Sequence, residues 1–242
     1  MNPLDRATKD LVIANRILAH QGLFDEYGHI SVRHPADPSR YLLARACTPA
    51  YVEPGDIVEH TLDGAPARSE NRPLCSERFA HGAIYEARPD VRTVLCVNSD
   101  DVVPFGISGV PLRPVLGTVG DMGSPVPVWD IADEFGDGTD LTISTPERGR
   151  SLAKGLGPQR LVLTRGVGFV AIGRTLNDVV KMSVYIPKNS RALAESLTVG
   201  EVRSISPGET QQRMIIDPES NAMRRGWEYW ARAAGCERWL KD

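Results

Sequence analysis

The chain has 242 residues, 41% of them hydrophobic and 24% charged, proportions of a globular protein long enough to bury a full core. A formal net charge of −3 gives no reason to expect nucleic acid or anionic membrane as a partner. No apolar run reaches the length of a membrane span, and the opening MNPLDRATKDLV lacks the apolar core of a secretory signal, so a cytoplasmic protein is expected.

Asn2-Pro3 supplies an N-cap and a first helical residue. Leu4, Ala7, Leu11, Ala14 and Leu18 then recur at three- and four-residue steps up to Gly22, predicting an amphipathic helix. Short β segments follow at residues 28–33, 40–45 and 57–62, the last running into the turn signal Asp63-Gly64; their spacing predicts hairpins in an antiparallel or mixed sheet. Ser76 next caps a helix on which Phe79, Ala80, Ala83, Ile84 and Ala87 keep the helical period until Pro89. A strand over 91–97 comes at once. Alternation places Val91, Thr93, Leu95 and Val97 on one of its faces and Arg92, Val94, Cys96 and Asn98 on the other, so Cys96 and Asn98 point the same way.

Residues 108–128 are dense in glycine and proline and read as loops with short strands crossing the mouth of a site. Helices are predicted at about 146–155 and 176–197, the second kinked at Pro187, with a strand holding Val167 between them. Asp217-Pro218 caps a last helix carrying Met223, Trp227 and Trp230 at helical spacing and ending near Gly235, an aromatic stripe that reads as packing. Four cysteines, Cys47, Cys75, Cys96 and Cys236, stand apart without CxxC or zinc-finger spacing, which predicts reduced thiols.

The runs Ser76-Glu77-Arg78-Phe79, His81-Gly82-Ala83-Ile84-Tyr85, Ala87-Arg88-Pro89-Asp90-Val91 and Val103-Pro104-Phe105-Gly106 together resemble the class II aldolase/adducin family, nearest its branch of decarboxylases of hydroxylated aromatic acids. The resemblance extends over roughly residues 4–235 and implies one domain spanning 1–242. It implies the class II aldolase-like fold, α/β in class, with three α/β/α layers around a central, mainly antiparallel or mixed sheet. A homo-oligomer is implied too, a tetramer with sites at subunit interfaces.

In that family a helix glutamate, a His-x-His pair on the following strand and a third histidine after Arg-Gly handle a divalent metal ion. Glu77 matches the glutamate, whereas Cys96 and Asn98 occupy the pair and Val167, in the segment LVLTRGVGFVAIG, occupies the third position. Zinc takes three or four nitrogen, sulfur or carboxylate donors. The match therefore implies no metal here, and no other cofactor is expected. His81, four residues after Glu77 on the same helical face, is the candidate replacement ligand, although a histidine on an amphipathic helix is more often a hydrogen-bonded structural residue. Sugar-phosphate members hold phosphate with glycine, serine and asparagine loops. The matching stretch here is Ala46-Cys47-Thr48-Pro49-Ala50-Tyr51, and His29 replaces an asparagine, so a phosphorylated sugar is not expected. His29 either lines the pocket or is a strand-end histidine bonded to backbone.

Glu77 then remains as general acid or base, its carboxyl raised towards neutrality if burial among Phe79, Val94 and Val167 dominates. Asn98 offers an amide to a developing oxyanion, and Cys96 is either a reactive thiol or a small buried hydrophobe. Tyr185, which forms with Asn189 a Tyr-x-x-x-Asn pattern of the family, is a site contributor or a core residue. Arg78, Arg113 and Arg165 are candidates to hold a substrate carboxylate, Arg113 and Asp121 reading also as surface charges. Asp100 and Asp101 either raise the Glu77 carboxyl or belong to a solvated loop.

Three functions follow. The first is a metal-independent lyase or cyclising enzyme, performing decarboxylation, retro-aldol cleavage or a related proton transfer on a small carbonyl or hydroxy-aromatic acid in specialised metabolite biosynthesis. The second is a catalytically silent aldolase-like scaffold, and the third a metal-dependent decarboxylase using Cys96, Glu77 and His81 as substitute ligands. The persistence of Glu77 and Arg165 and the lack of a charged or disordered interaction tail favour the first, with a small molecule as partner.

Overall fold

The computed structural model describes residues 1–215, 217 and 220–240. Asn2 caps the first helix, its side chain accepting from the Asp5 N–H at 2.8 Å, and Pro3 opens it, so that α1 runs Pro3–His20. A meander of β1 (His29–Arg33), β2 (Arg40–Ala44) and β3 (Ile57–Thr61) follows, each strand antiparallel to the next. The chain then forms α2 (Arg78–Ala87) and β4 (Thr93–Asn98), and β4 returns antiparallel to β1 with Cys96 opposite His29.

Beyond β4 come α3 (Val103–Ile107), β5 (Val128–Trp129), α4 (Ala132–Phe135) and α5 (Pro146–Leu156). A hairpin of β6 (Leu161–Thr164) and β7 (Gly168–Gly173) precedes α6 (Leu176–Val199), α7 (Pro207–Met214), α8 (Asn221–Ala233) and α9 (Glu237–Leu240). The seven strands order as β3-β2-β1-β4-β7-β6-β5, antiparallel apart from β5 beside β6.

Side-chain alternation gives this sheet two separate cores. Ile30, Val32, Leu42, Leu95, Val97 and Phe169 face one way and bury the apolar sides of α1, α6 and α8. Tyr41, Leu43, Val94, Cys96, Val162 and Val170 face the other way, against α2 and α5. The result is the α/β/α layering expected. On the second side α2 lies close enough that a Cβ on Gly82 would stand 2.0 Å from the Leu62 carbonyl oxygen, which only glycine permits.

Several local expectations change. Ser76 does not cap α2: the chain enters through a turn in which the Ala80 N–H donates to the Glu77 carbonyl at 3.0 Å, and Glu77 itself holds the N-cap position without a capping side-chain bond. Its carboxylate is thereby free to point at β1. Val91 precedes β4 and joins Val94 and Cys96 in the second core, away from Leu95 and Val97. Residues 161–173 form two strands, because Gly166 at φ +74° turns the chain and the Thr164 hydroxyl accepts from the Gly168 N–H at 3.2 Å; Val167 sits in that turn.

Residues 108–128 carry a 3₁₀ segment, Gly117–Met122, and α6 runs on through Pro187. Ser206-Pro207 with Glu209 forms an unanticipated capping box that starts α7. The next helix starts at Asn221 with Ser220 at its N-cap instead of Asp217, and Pro218 lies outside the described residues. Trp230 and Trp227 pack on the first core, so the aromatic stripe is structural.

Candidate active site

Because β1 and β4 are neighbours and α2 crosses their second face, four polar side chains meet beneath it. His29 and Ser31 stand two residues apart on β1, and His81 and Tyr85 four residues apart on α2, spacings that put each pair on one face. His29 Nδ1 lies 2.6 Å from His81 Nε2, His81 Nδ1 lies 2.7 Å from Ser31 Oγ, and Ser31 Oγ lies 2.8 Å from Tyr85 Oη. The remaining nitrogen of His29, Nε2, is 3.0 Å from Glu77 Oε2, and Oε1 of the same carboxylate accepts from the Ile143 N–H at 2.8 Å.

Glu77 and His29 form the floor of a cavity of about 630 Å³, with Asn98 and Val167 on one wall. Tyr27 and Gly28, residues 44–48 from the end of β2 onward and residues 140–142 also line it. Cys96 lies beneath, against a recess of about 20 Å³ shared with His29 and Glu77.

Burial works on each titratable group here with a different outcome. It pushes the Glu77 carboxyl up, but the hydrogen bond and charge of His29 and the Ile143 N–H outweigh it, so the net shift is downward. The expected rise towards neutrality does not occur, and Asp140, rather than Asp100 or Asp101, is the acid whose field opposes the lowering. Burial holds the Cys96 thiol well above its ordinary value, reinforced by Glu77, and keeps the fully buried His81 well below its own. Cys75, at the cavity edge, is pushed up to about 12 by burial. Neither Cys96 nor Cys75 is therefore a ready thiolate.

Residues 9–193 match the family described as Class II Aldolase and Adducin N-terminal domain. The chain belongs to this family. It is 27% identical over 251 residues to the decarboxylase tropJ of Talaromyces stipitatus, an alignment covering 95% of this chain and 94% of that protein. It is 26% identical over 218 residues to the 3,4-dihydroxyphthalate decarboxylase of Rhodococcus jostii, covering 83% of this chain and 85% of the relative. Its fold is similar to that of the L-fuculose 1-phosphate aldolase from Glaciozyma antarctica, with a TM-score of 0.75 at 17% identity over 96% of this chain and 89% of that one.

Within this class II aldolase fold, Glu77, His29, Asn98 and Val167 are brought together as the sequence suggested, with Cys96 and His81 just behind them. The three candidate arginines lie elsewhere. Arg78 donates to the Gly64 and Cys75 carbonyls at 2.9 and 3.0 Å, Arg165 pairs with Asp130 at 2.5 Å, and the Arg113 carbonyl accepts from Asn189 at 2.9 Å; none of the three lines the cavity. Asp101 is paired with Arg191.

Tyr185 packs on Trp230 and lines a different cavity, of about 570 Å³, together with Asp121, which Lys181 holds at 3.2 Å. Asn189 accepts from the Val115 and Leu116 N–H groups and so fastens a loop. The cation that does reach the Glu77 cavity is Arg45, missed because it directly follows β2 and carries no motif. Its Nε donates to Asp56 at 2.8 Å, which steers the other edge of the guanidinium.

Proposed function

We propose that the protein is a carbon–carbon lyase that decarboxylates a small hydroxy-aromatic acid by proton transfer from Glu77, without a metal ion. The observation that carries this reading is the Glu77–His29 contact of 3.0 Å at the floor of an otherwise open cavity. A proton passes from this pair to the ring carbon that bears the departing carboxylate. The carbon–carbon bond then breaks, its electron pair returns to the ring and CO₂ leaves, after which water restores the proton to the pair. Asn98 hydrogen-bonds the ring hydroxyl whose charge changes during the transfer, and Arg45 holds the anionic edge of the acid away from the breaking bond. The decarboxylase names of the relatives in Talaromyces and Rhodococcus support the reaction class.

The donor set does not fit the family's divalent ion. Val167 has no donor, Asn98 is a neutral amide, and both oxygens of Glu77 already accept hydrogen bonds. His29, His81 and Cys96 do bring three ligand atoms within 4.8 Å of one another. Their two ring nitrogens, however, are 2.6 Å apart in a hydrogen bond. Two nitrogens on one tetrahedral ion stand about 3.3 Å apart at ordinary bond lengths.

Purified protein incubated with a panel of ortho-hydroxylated aromatic acids, 3,4-dihydroxyphthalate included, should release CO₂ from at least one; release from none would refute the reading. Dialysis against a strong chelator should leave that rate within about twofold, since no Lewis acid takes part. A rate abolished by the chelator and restored by a divalent ion would overturn the metal-free assignment. Arg45→Met should raise KM about tenfold with kcat nearly unchanged, as loss of a charged substrate contact away from the breaking bond predicts. An unchanged KM would remove Arg45 from the site.

A further inference from the structure

The cavity beside Tyr185 takes no part in the chemistry proposed above. Asn98 lies opposite Gly168 at the start of β7, beside Val167, whereas Gly173 at the far end lies opposite Thr93 and leads into Arg174. Five residue steps along β7 put about 17 Å between those ends. Among the described residues, none lines both cavities.

The acids in the lining are Asp121 and Asp178, 7% and 9% exposed, and both already have cations. Arg160 donates to Asp178 at 2.7 Å, and Lys181 donates to the two oxygens of Asp121 at 3.2 and 3.3 Å. Arg174, Arg213 on α7 and Arg225 on α8 line the same space with no carboxylate partner among the described residues. Like charges around one cavity repel one another, and an anion between them relieves that repulsion.

Polar atoms in the wall are also left over. The stem of Arg213 crosses Gly120 so closely that a Cβ there would stand 2.8 Å from Cγ, and its Nε–H is buried without a hydrogen-bond partner. Ser220, at the N-cap of α8, makes no capping bond, and its Oγ is likewise buried and unpartnered. The first turn of that 13-residue helix therefore keeps N–H donors that the helix cannot satisfy, and Ala222 and Met223 of that turn line the cavity. Buried polar atoms seldom go unpaired, and an oxyanion suits a guanidinium N–H, a hydroxyl and a helix N-terminus alike. The opposite chemistry is present too: Tyr185 and Trp230, with ring centroids 6.1 Å apart, and Met214 give the cavity an apolar side.

We propose that this cavity is a second ligand site, taking a small organic anion whose carboxylate or phosphate oxygens meet Arg213, Arg225 and Arg174 and whose aromatic body lies against Tyr185 and Trp230. Its volume of about 570 Å³ falls within the ordinary range for small-molecule sites. An inorganic anion would leave the aromatic side wet, and a neutral aromatic would leave the three arginines unpaired. Carboxylate and phosphate both match the planar fork of arginine, so the choice between them is left to the probes.

Calorimetric titration of the purified protein with phthalate, phenyl phosphate, inorganic phosphate and benzyl alcohol tests this directly. One of the two aromatic anions should bind at least about tenfold more tightly than either inorganic phosphate or benzyl alcohol, and the tighter of the two names the oxyanion. That binding should persist in Arg45→Met, which alters only the Glu77 cavity. Arg213→Met should weaken it about tenfold, the scale of one charged hydrogen bond, and Arg225→Met by less. Gly120→Ala keeps every charge but displaces the Arg213 stem, and should weaken it about threefold. If Arg213→Met does not fold, the Arg225 and Gly120 variants carry the measurement. Failure of both aromatic anions to bind at millimolar concentration would overturn the proposal. So would binding that is lost in Arg45→Met and untouched by the other three variants, or inorganic phosphate binding as tightly as the aromatic anions. None of these readouts requires that the protein decarboxylate anything, so this site and the reaction class stand or fall separately.

Discussion

Replacing Glu77 by glutamine is expected to lower kcat for CO₂ release about 10²- to 10⁴-fold, the usual loss when a general acid–base group is removed, with little change in thermal stability. The two halves of this expectation come from the same geometry. An amide in place of the carboxylate fills nearly the same volume and still accepts from the Ile143 N–H through its oxygen, so that buried donor is not orphaned. It cannot pass a proton on. The measurement is CO₂ release beside circular dichroism melting, and a variant within about threefold of the parent would remove Glu77 from the chemistry and favour a scaffold role.

Acid titration adds an independent check. The folded carboxyl lies below its ordinary value of 4.5, so the unfolded chain binds more protons in that region. The stability this supplies is complete above the ordinary value and is lost as pH falls through the lowered one. In Glu77→Gln that part of the acid dependence should vanish.

The sequence was most readable where a local signal coincides with burial. Asn2-Pro3 and the apolar stripe of α1 define that helix almost to the residue, and the alternation around Cys96 and Asn98 correctly aims both at the cavity side. Turn chemistry was harder. Leu161–Gly173 reads as one apolar strand unless Arg165-Gly166 is recognised as a hairpin turn, and Ser76 looks like a cap although the chain enters α2 one residue later.

Charge pairing was hardest, because it depends on partners far away in the chain. Nothing local distinguishes Arg165, consumed by Asp130, from Arg45, whose guanidinium reaches the cavity. The His29–His81 bond likewise requires knowing that α2 crosses β1. Yet the pattern was present: polar groups two apart on a strand and four apart on a helix, each within an otherwise apolar face, are a signal for a buried hydrogen-bonded chain.

Arg33→Met is expected to destabilise the fold by about 3–5 kcal/mol, the cost of breaking a buried charged network from one side. The residue ends β1, is 6% exposed and donates to four carbonyls. Nε reaches Val91 at 2.9 Å, Nη1 reaches Pro38 at 2.6 Å, and Nη2 reaches Tyr85 and Arg88 at 2.7 and 3.0 Å.

Two of these carbonyls belong to the last turn and C-cap of α2, where helix geometry leaves acceptors unpaired and the dipole favours a cation. The guanidinium also lies over the Tyr85 ring, 4.7 Å from its centroid. One side chain thus ties the end of α2, the turn into β4 and the β1–β2 connection together. Methionine fills much of the volume but leaves all four oxygens without that donor, so the loss is polar and not a packing defect. At about 2–4 °C per kcal/mol for a chain of this size, the melting temperature should fall by roughly 10 °C. Arg33→Lys, which keeps charge without the planar fork, should fall between. Since Tyr85 ends the chain that holds His29, the same loss should loosen the cavity floor and shift the His29 imidazole signals even below the melting range. A methionine variant as stable as the parent would show that water satisfies these carbonyls and that Arg33 does not brace the site.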